Sequence, residues 1–443
     1  MTVDPIEVLT KLVSFDTRNE GLDKKSGKEC PVYINNILEN YGFQTELLES
    51  EGYYTAFGRR GQGAFKILFL AHFDIVPFGE GWKTDPLTLK VDGDIAYGRG
   101  TCDDKGNIVS LLMLASLLAG SDIPCMTMIA ASGDEEIGGS HGAKVLKDWL
   151  MKNGMFPDYI VVADGLHQQI IHRRRNILPT FIKAKEKISN IKGYQETVRF
   201  TTDTFGSDTR HSAYLRPGVD RHAMLAASKY LDLNPEVMVT QIRGSFVKSN
   251  VVPDWVEMDI IHPDSKGLDT IYDETLTNIM RLLLSLSQAA FPTKHSDKGK
   301  IVSPNLLSKE DNLWTLYCDI RAMTNDDEAV KKAIEDAING NIDLFSLKVV
   351  GGAGYVESNP NSRLIRAMKW ALEKEGVDYR LIEGFGGSDS RYFAGQGSDL
   401  FDFGPEGDNL HGANEWVSLS SLKQNAEVFH RLLEILTREK SPV

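Results

Sequence analysis

The chain has 443 residues, 42% of them hydrophobic and 25% charged, and a formal net charge of −13. Its length suits two domains rather than one, and its composition is that of a globular protein with a sizeable core. The acidic balance argues against a nucleic-acid partner, because phosphate backbones are gripped mainly by clustered Lys and Arg.

In chain order, the opening MTVDPIEVLTKLVSFDT lacks the basic start, long apolar run and small-residue cleavage site of a secretory signal. Residues 66–74 (KILFLAHFD) are almost continuously apolar, which predicts a strand buried on both faces. Residues 107–120 read as a buried helix stopped by Gly120, 125–132 as a second strand, 143–154 as a helix and 158–165 as a third strand. The most apolar run, 108–119, falls short of the about 20 residues a membrane span needs, so no membrane partner is expected. Such strand–helix alternation implies an α/β fold with a mostly parallel sheet and helices on both faces. The basic run Arg173-Arg174-Arg175 lies inside a patterned segment, not in a tail. Residues 180–351 have a different texture. Strands at 196–202, 255–261 and 314–320 and helices at 221–231, 276–289 and 328–338 suggest an inserted, smaller α+β domain. After it the first texture returns: a helix at 362–376, a strand at 398–404 and a final amphipathic helix capped by Ser418. The expected division is therefore 1–179 with 352–443, interrupted by 180–351. Cys30, Cys102, Cys125 and Cys318 form no C-x-x-C pair, which fits neither a disulfide scaffold nor a thiolate zinc site. A cytoplasmic location is the default expectation.

Four polar signals fall at the carboxyl ends of the predicted strands, where open α/β sheets gather their ligand sites. His72 and Asp74 lie two apart on a strand and face the same way. They form either a satisfied core pair or a metal ligand with the carboxylate that orients it. Asp103 and Asp104, within GRGTCDDKG, precede a helix and are helix caps or ligands. Asp134, Glu135 and Glu136, within GDEEIGG, are an acidic surface turn unless cations neutralise them. Asp164 means nothing alone. Together, carboxylates with one or two histidines suit zinc or manganese, and shared carboxylates allow two ions about 3.5–4 Å apart.

His72-Phe73-Asp74, the run at 98–106, the run at 133–139 and the late NLHGANE at 409–415 occur in an order and at separations that resemble a family of zinc peptidases and deacylases. That family includes aminoacylase, acetylornithine deacetylase, succinyl-diaminopimelate desuccinylase, glutamate carboxypeptidase and carnosine dipeptidases, and the resemblance covers nearly the whole chain. It implies that His72, Asp103 and Asp164 hold one zinc, and that Asp103, Glu136 and His411 hold the other, with Asp103 bridging. Cobalt or manganese would suit the same donors. It further implies that Asp74 supports His72, that the ions activate a bridging water, and that Glu135 is the general base. Residues 205–212 are similar to the family's lid segment, which makes His211 an oxyanion donor or else a surface histidine; in dimeric members this histidine reaches across to the other subunit. Residues 386–391 look like the family's glycine-rich substrate loop, with Gly387, Ser388 and Arg391; Arg391 would pair with a substrate carboxylate or sit in a structural ion pair. The lid asparagine is Asn250 or Asn305. The implied protein is a homodimeric metal-dependent hydrolase of an amide bond in a small peptide or N-acyl amino acid. The rival is a catalytically silent, metal-stabilised binding or scaffold protein, against which the retention of Glu135 and all five ligands speaks.

Overall fold

A computed structural model of the chain describes residues 3–19, 24–205, 211–216, 218–291, 293, 300–384 and 386–438. The chain divides into two compact units, one made of residues 1–173, 356–384 and 388–443, the other of 174–355 with 385–387. The second unit starts earlier than the sequence texture suggests, because the strand Asn176–Lys185 pairs with Leu313–Ala322 and Leu344–Val349 inside it.

The first unit is built on a nine-stranded mixed sheet. Its four middle strands, Met126–Ser132, Lys66–His72, Tyr159–Val162 and Asp399–Asp402, run parallel. This is the expected α/β sheet with a parallel middle, to which antiparallel strands are added at the margins. On one side Gln44–Ser50 and Tyr53–Arg60 form a hairpin whose two-residue turn, Glu51-Gly52, has φ of 50° and 79°. A turn of that hand matches strand twist and necessarily makes an antiparallel pair. Its outer strand is polar and half exposed, so it carries no apolar run to betray it. In the strand Lys66–His72, Ile67, Phe69 and Ala71 enter one core while Leu68 and Leu70 enter the other, which is why the run is apolar throughout. The helix Lys105–Ala119 packs against the final helix Leu419–Arg438 on the first face. The helix Ala143–Lys152 sends Leu146 and Leu150 into the second core. A separate small sheet orders Gly407–Asp408, Trp416–Ser418, Ile95–Tyr97 and Lys90–Asp92, and so draws the loop after Tyr97 towards the segment before Trp416. All four cysteines are buried thiols. Among the described residues no helix is long and apolar enough to cross a membrane.

The second unit holds two four-stranded antiparallel sheets. One runs Met238–Gly244, Trp255–Pro263, Ile188–Thr201, Leu268–Asp273; the other runs Ile301–Glu310, Leu313–Ala322, Asn176–Lys185, Leu344–Val349. The helices Ala223–Leu233, Glu274–Gln288 and Asp327–Ile338 share one apolar core with them. His222 caps the first of these helices: its Nδ1 accepts the Met224 N–H at 3.1 Å, and its Nε2 lies 3.2 Å from Ser303 Oγ. Burial lowers its pKa to about 4. The unfolded chain takes up this proton near 6.5, so between about pH 6.5 and 4 the unfolded state binds more protons and stability falls as the pH drops. The parent is expected to lose on the order of 3 kcal/mol across that window from this group. His222→Asn, which keeps a capping side chain, should lose that share of the slope in urea unfolding measured at several pH values.

Candidate metal centre

His72 ends its strand and is buried. Its Nε2 lies 3.0 Å from Asp103 Oδ1, and its Nδ1 lies 3.1 Å from the backbone carbonyl of Asp74 and 3.4 Å from that residue's carboxylate. The carbonyl is therefore the nearer partner of the imidazole. Asp74, fully buried, has a second task that its sequence position does not announce. Its carboxylate accepts the N–H groups of Glu135 and Glu136 at 3.0 and 3.1 Å, and the Asn19 amide at 3.1 Å. The acidic turn after Met126–Ser132 is thus a short 3-10 helix, Glu135–Ile137, held by another acid. Asp104 makes no capping hydrogen bond; its carboxylate accepts the His72 N–H at 2.9 Å and the Asn107 amide at 2.6 Å. On the far side, His411 Nε2 lies 3.1 Å from Asp103 Oδ2 and 3.1 Å from Glu136 Oε2. Asp103 therefore stands between the two imidazoles. His411 forms the rim, its side chain 40% exposed.

The residues present fit divalent metal. One ligand atom from each of His72, Asp103 and Glu136 lies within 4.8 Å of the others, and Glu136 Oε1 is buried with no hydrogen-bond partner among the described residues. The charges tell the same story. Burial pushes Glu136 up to about 7, and also raises Glu135. Burial opposes ionisation of Asp103 too, but hydrogen bonds from His411 and His72 outweigh it and hold its carboxyl below the ordinary range. The Glu136 charge holds His411 far above its usual value; His72 rises as well, its carboxylate contacts overcoming burial. A pocket that keeps protons on two imidazoles to offset its acids is one where cations are welcome.

Arg391 sits in the short helix Asp389–Tyr392, with Nη2 3.8 Å from Glu135 Oε1. Burial lowers its pKa, but Glu135, Asp389, Tyr392 and Asp164 together hold it up. Asp164 lies just past Tyr159–Val162, half-buried. It stands within reach of Arg391 and is not one of the three residues of the tight group. Ser388 is buried and donates to Asp402 Oδ2 at 2.6 Å, so its hydroxyl serves the fold of its loop rather than an open face. Arg174, which the sequence shows only as part of a basic run, donates to the carbonyls of Gly386 and Gly387 at 3.1 and 3.3 Å. In the second unit His211 and Asn250 come together, Nε2 to Nδ2 at 3.1 Å, while the Ala213 N–H donates to His211 Nδ1 at 3.0 Å. His211 Nδ1 therefore acts as an acceptor, while the Asn250 amide nitrogen, also a donor, faces Nε2. Asn305 instead spends its amide on Ser249 O at 2.6 Å and Ser303 at 2.7 Å, which makes Asn250 the asparagine beside the histidine. Of the lid segment, residues 206–210 lie outside the described residues.

The chain belongs to peptidase family M20/M25/M40, whose model matches residues 68–435. It is similar to a succinyl-diaminopimelate desuccinylase of Rhizorhabdus wittichii, 36% identical over 37% of this chain and 42% of the relative. The match thus spans less than half of that relative's length. A desuccinylase of Nautilia profundicola is 23% identical over 97% of this chain and 98% of its own. Among solved structures, aminoacylhistidine dipeptidase from Vibrio alginolyticus has the same fold, with a TM-score of 0.70, 15% identity, and coverage of 99% of this chain and 97% of that one.

Proposed function

We propose that the chain is a metal-dependent hydrolase of the amide bond in a small peptide or N-acyl amino acid. The observation that carries this reading is the junction at Asp103, whose two oxygens face His72 and His411 at 3.0 and 3.1 Å, with Glu135 close enough to feel the charges of His72 and Asp103. His72, Asp103 and Asp164 would hold one zinc, and Asp103, Glu136 and His411 a second. When bound, such ions supply Lewis acidity and lower the pKa of water. Glu135 takes the proton from the attacking water and delivers it to the departing amine nitrogen, so that one C–N bond breaks, one C–O bond forms and the protons balance. His211 is the donor for the carbonyl oxygen as it gains charge. Arg391 compensates the Glu135 charge and receives a substrate carboxylate, with Gly387 in the adjoining loop. A homodimer is part of the same reading.

The test is turnover of N-succinyl and N-acetyl amino acids and of dipeptides by protein loaded with zinc, cobalt or manganese, with light scattering on the same sample. Hydrolysis of one substrate class by metal-loaded protein, lost on chelation, is expected. Verified metal occupancy with no turnover on the whole panel would instead favour the silent binding protein.

A further inference from the structure

Glu415 lies four positions beyond His411 and is fully buried. Its Oε1 accepts the backbone N–H groups of Cys102 and Asp103 at 2.8 and 2.9 Å. Its Oε2 accepts the Gly100 N–H at 2.9 Å and Arg99 Nη1 at 2.8 Å. Its own carbonyl takes the Gly98 N–H at 3.0 Å. The loop that ends in Asp103 is therefore wrapped around one side chain. Gly100, at φ 81°, supplies the left-handed backbone that lets successive N–H groups converge on a single acceptor. Arg99, which offsets the carboxylate's charge, is itself anchored on the carbonyls of Pro77 and Phe78, both at 3.3 Å.

The segment before Glu415 is held just as firmly. Asn409, His411 and Asn414 have φ of 62°, 60° and 58°, a region that non-glycine residues hold only when their surroundings enforce it. The Asn414 side chain binds the segment to Gly81 O at 3.1 Å and to Lys83 N–H at 2.9 Å. Beyond it the chain enters the small sheet, with Trp416 opposite Tyr97.

We propose that Glu415 is a positioning residue of the metal centre: its buried carboxylate locks the loop bearing Asp103 to the segment bearing His411, setting the two side chains at their separation before a divalent cation arrives. The inference rests on the reading above, that these residues hold metal. Ligands already in place lose little freedom on binding, whereas ligands free to drift give up affinity to be ordered. Glu415→Gln keeps the size of the side chain but turns an NH2 group towards backbone N–H donors, so one of the two loops must let go.

The experiment titrates metal-free parent and Glu415→Gln with zinc in competition with a chromophoric chelator, with circular dichroism confirming the fold. A 10–100-fold weaker zinc affinity of the variant is expected; equal affinity overturns the proposal. If the variant does not fold, hydrogen exchange on the metal-free parent decides. Slow exchange of the Gly100, Cys102 and Asp103 amides supports locking in advance of metal, and exchange at the rate of an unstructured chain overturns it. A parent that binds no divalent metal at all removes the metal reading itself, an outcome distinct from both.

Discussion

Glu135→Gln is expected to lower kcat by about 10³-fold while leaving metal content and KM nearly unchanged. The change replaces one oxygen by an NH2 group and alters volume very little. The Glu135 backbone stays held by Asp74, whose carboxylate accepts its N–H at 3.0 Å, so the turn should survive. What disappears is the only function the reading gives the side chain, the transfer of a proton. Burial raises the pKa of this carboxyl above the ordinary range, bringing it nearer the value at which a group both takes and returns a proton near neutrality. A variant whose kcat stays within tenfold of the parent would show that some other group carries the proton.

Asp103→Ala should have a larger effect. Its two oxygens are the shared partners of His72 at 3.0 Å and of His411 at 3.1 Å, so a single truncation deprives both halves of the centre. Metal analysis is expected to find both ions lost, with activity reduced on the order of 10⁴-fold or more. His72→Ala, by contrast, should leave the Glu136–His411 side able to hold one ion. A variant lacking Asp103 that still carries two ions per chain would remove the bridge from the reading.

The legible part of this centre is the part that chemistry restricts to a few residue types. His72, Asp103 and Glu136 announce themselves because acids and an imidazole stand next to apolar strands, and His411 because the run around it, 409–415, resembles a family motif. The hidden part consists of acids aimed at backbone. Asp74 holds the Glu135 and Glu136 N–H groups, and Asp104 holds the His72 N–H. Every residue but proline has such a donor, so no pairing of residue types reveals the partner. For the same reason Asp104 reads as a helix cap in the sequence and turns out to be a brace. Asn19 is more remote still: it reaches Asp74 and the Gly133 carbonyl from near the start of the chain, through contacts no periodicity describes. The fold follows the same division. Strands with both faces buried write themselves as apolar runs, as 66–72 does, whereas Gln44–Ser50 at the sheet margin and the 14-residue Ile188–Thr201, largely exposed, do not.

The strand Asp399–Asp402 lies between Tyr159–Val162 and Ile170–Arg174, although more than 200 residues of chain separate it from either. A ribosome therefore releases the two flanking strands long before the one that joins them. Until it arrives, the emerging sheet presents a bare inner edge to the cell, the sort of surface on which nascent chains stick to one another. Productive folding of this polypeptide should consequently be slow, and its yield on expression should depend on chaperones more than its finished stability suggests.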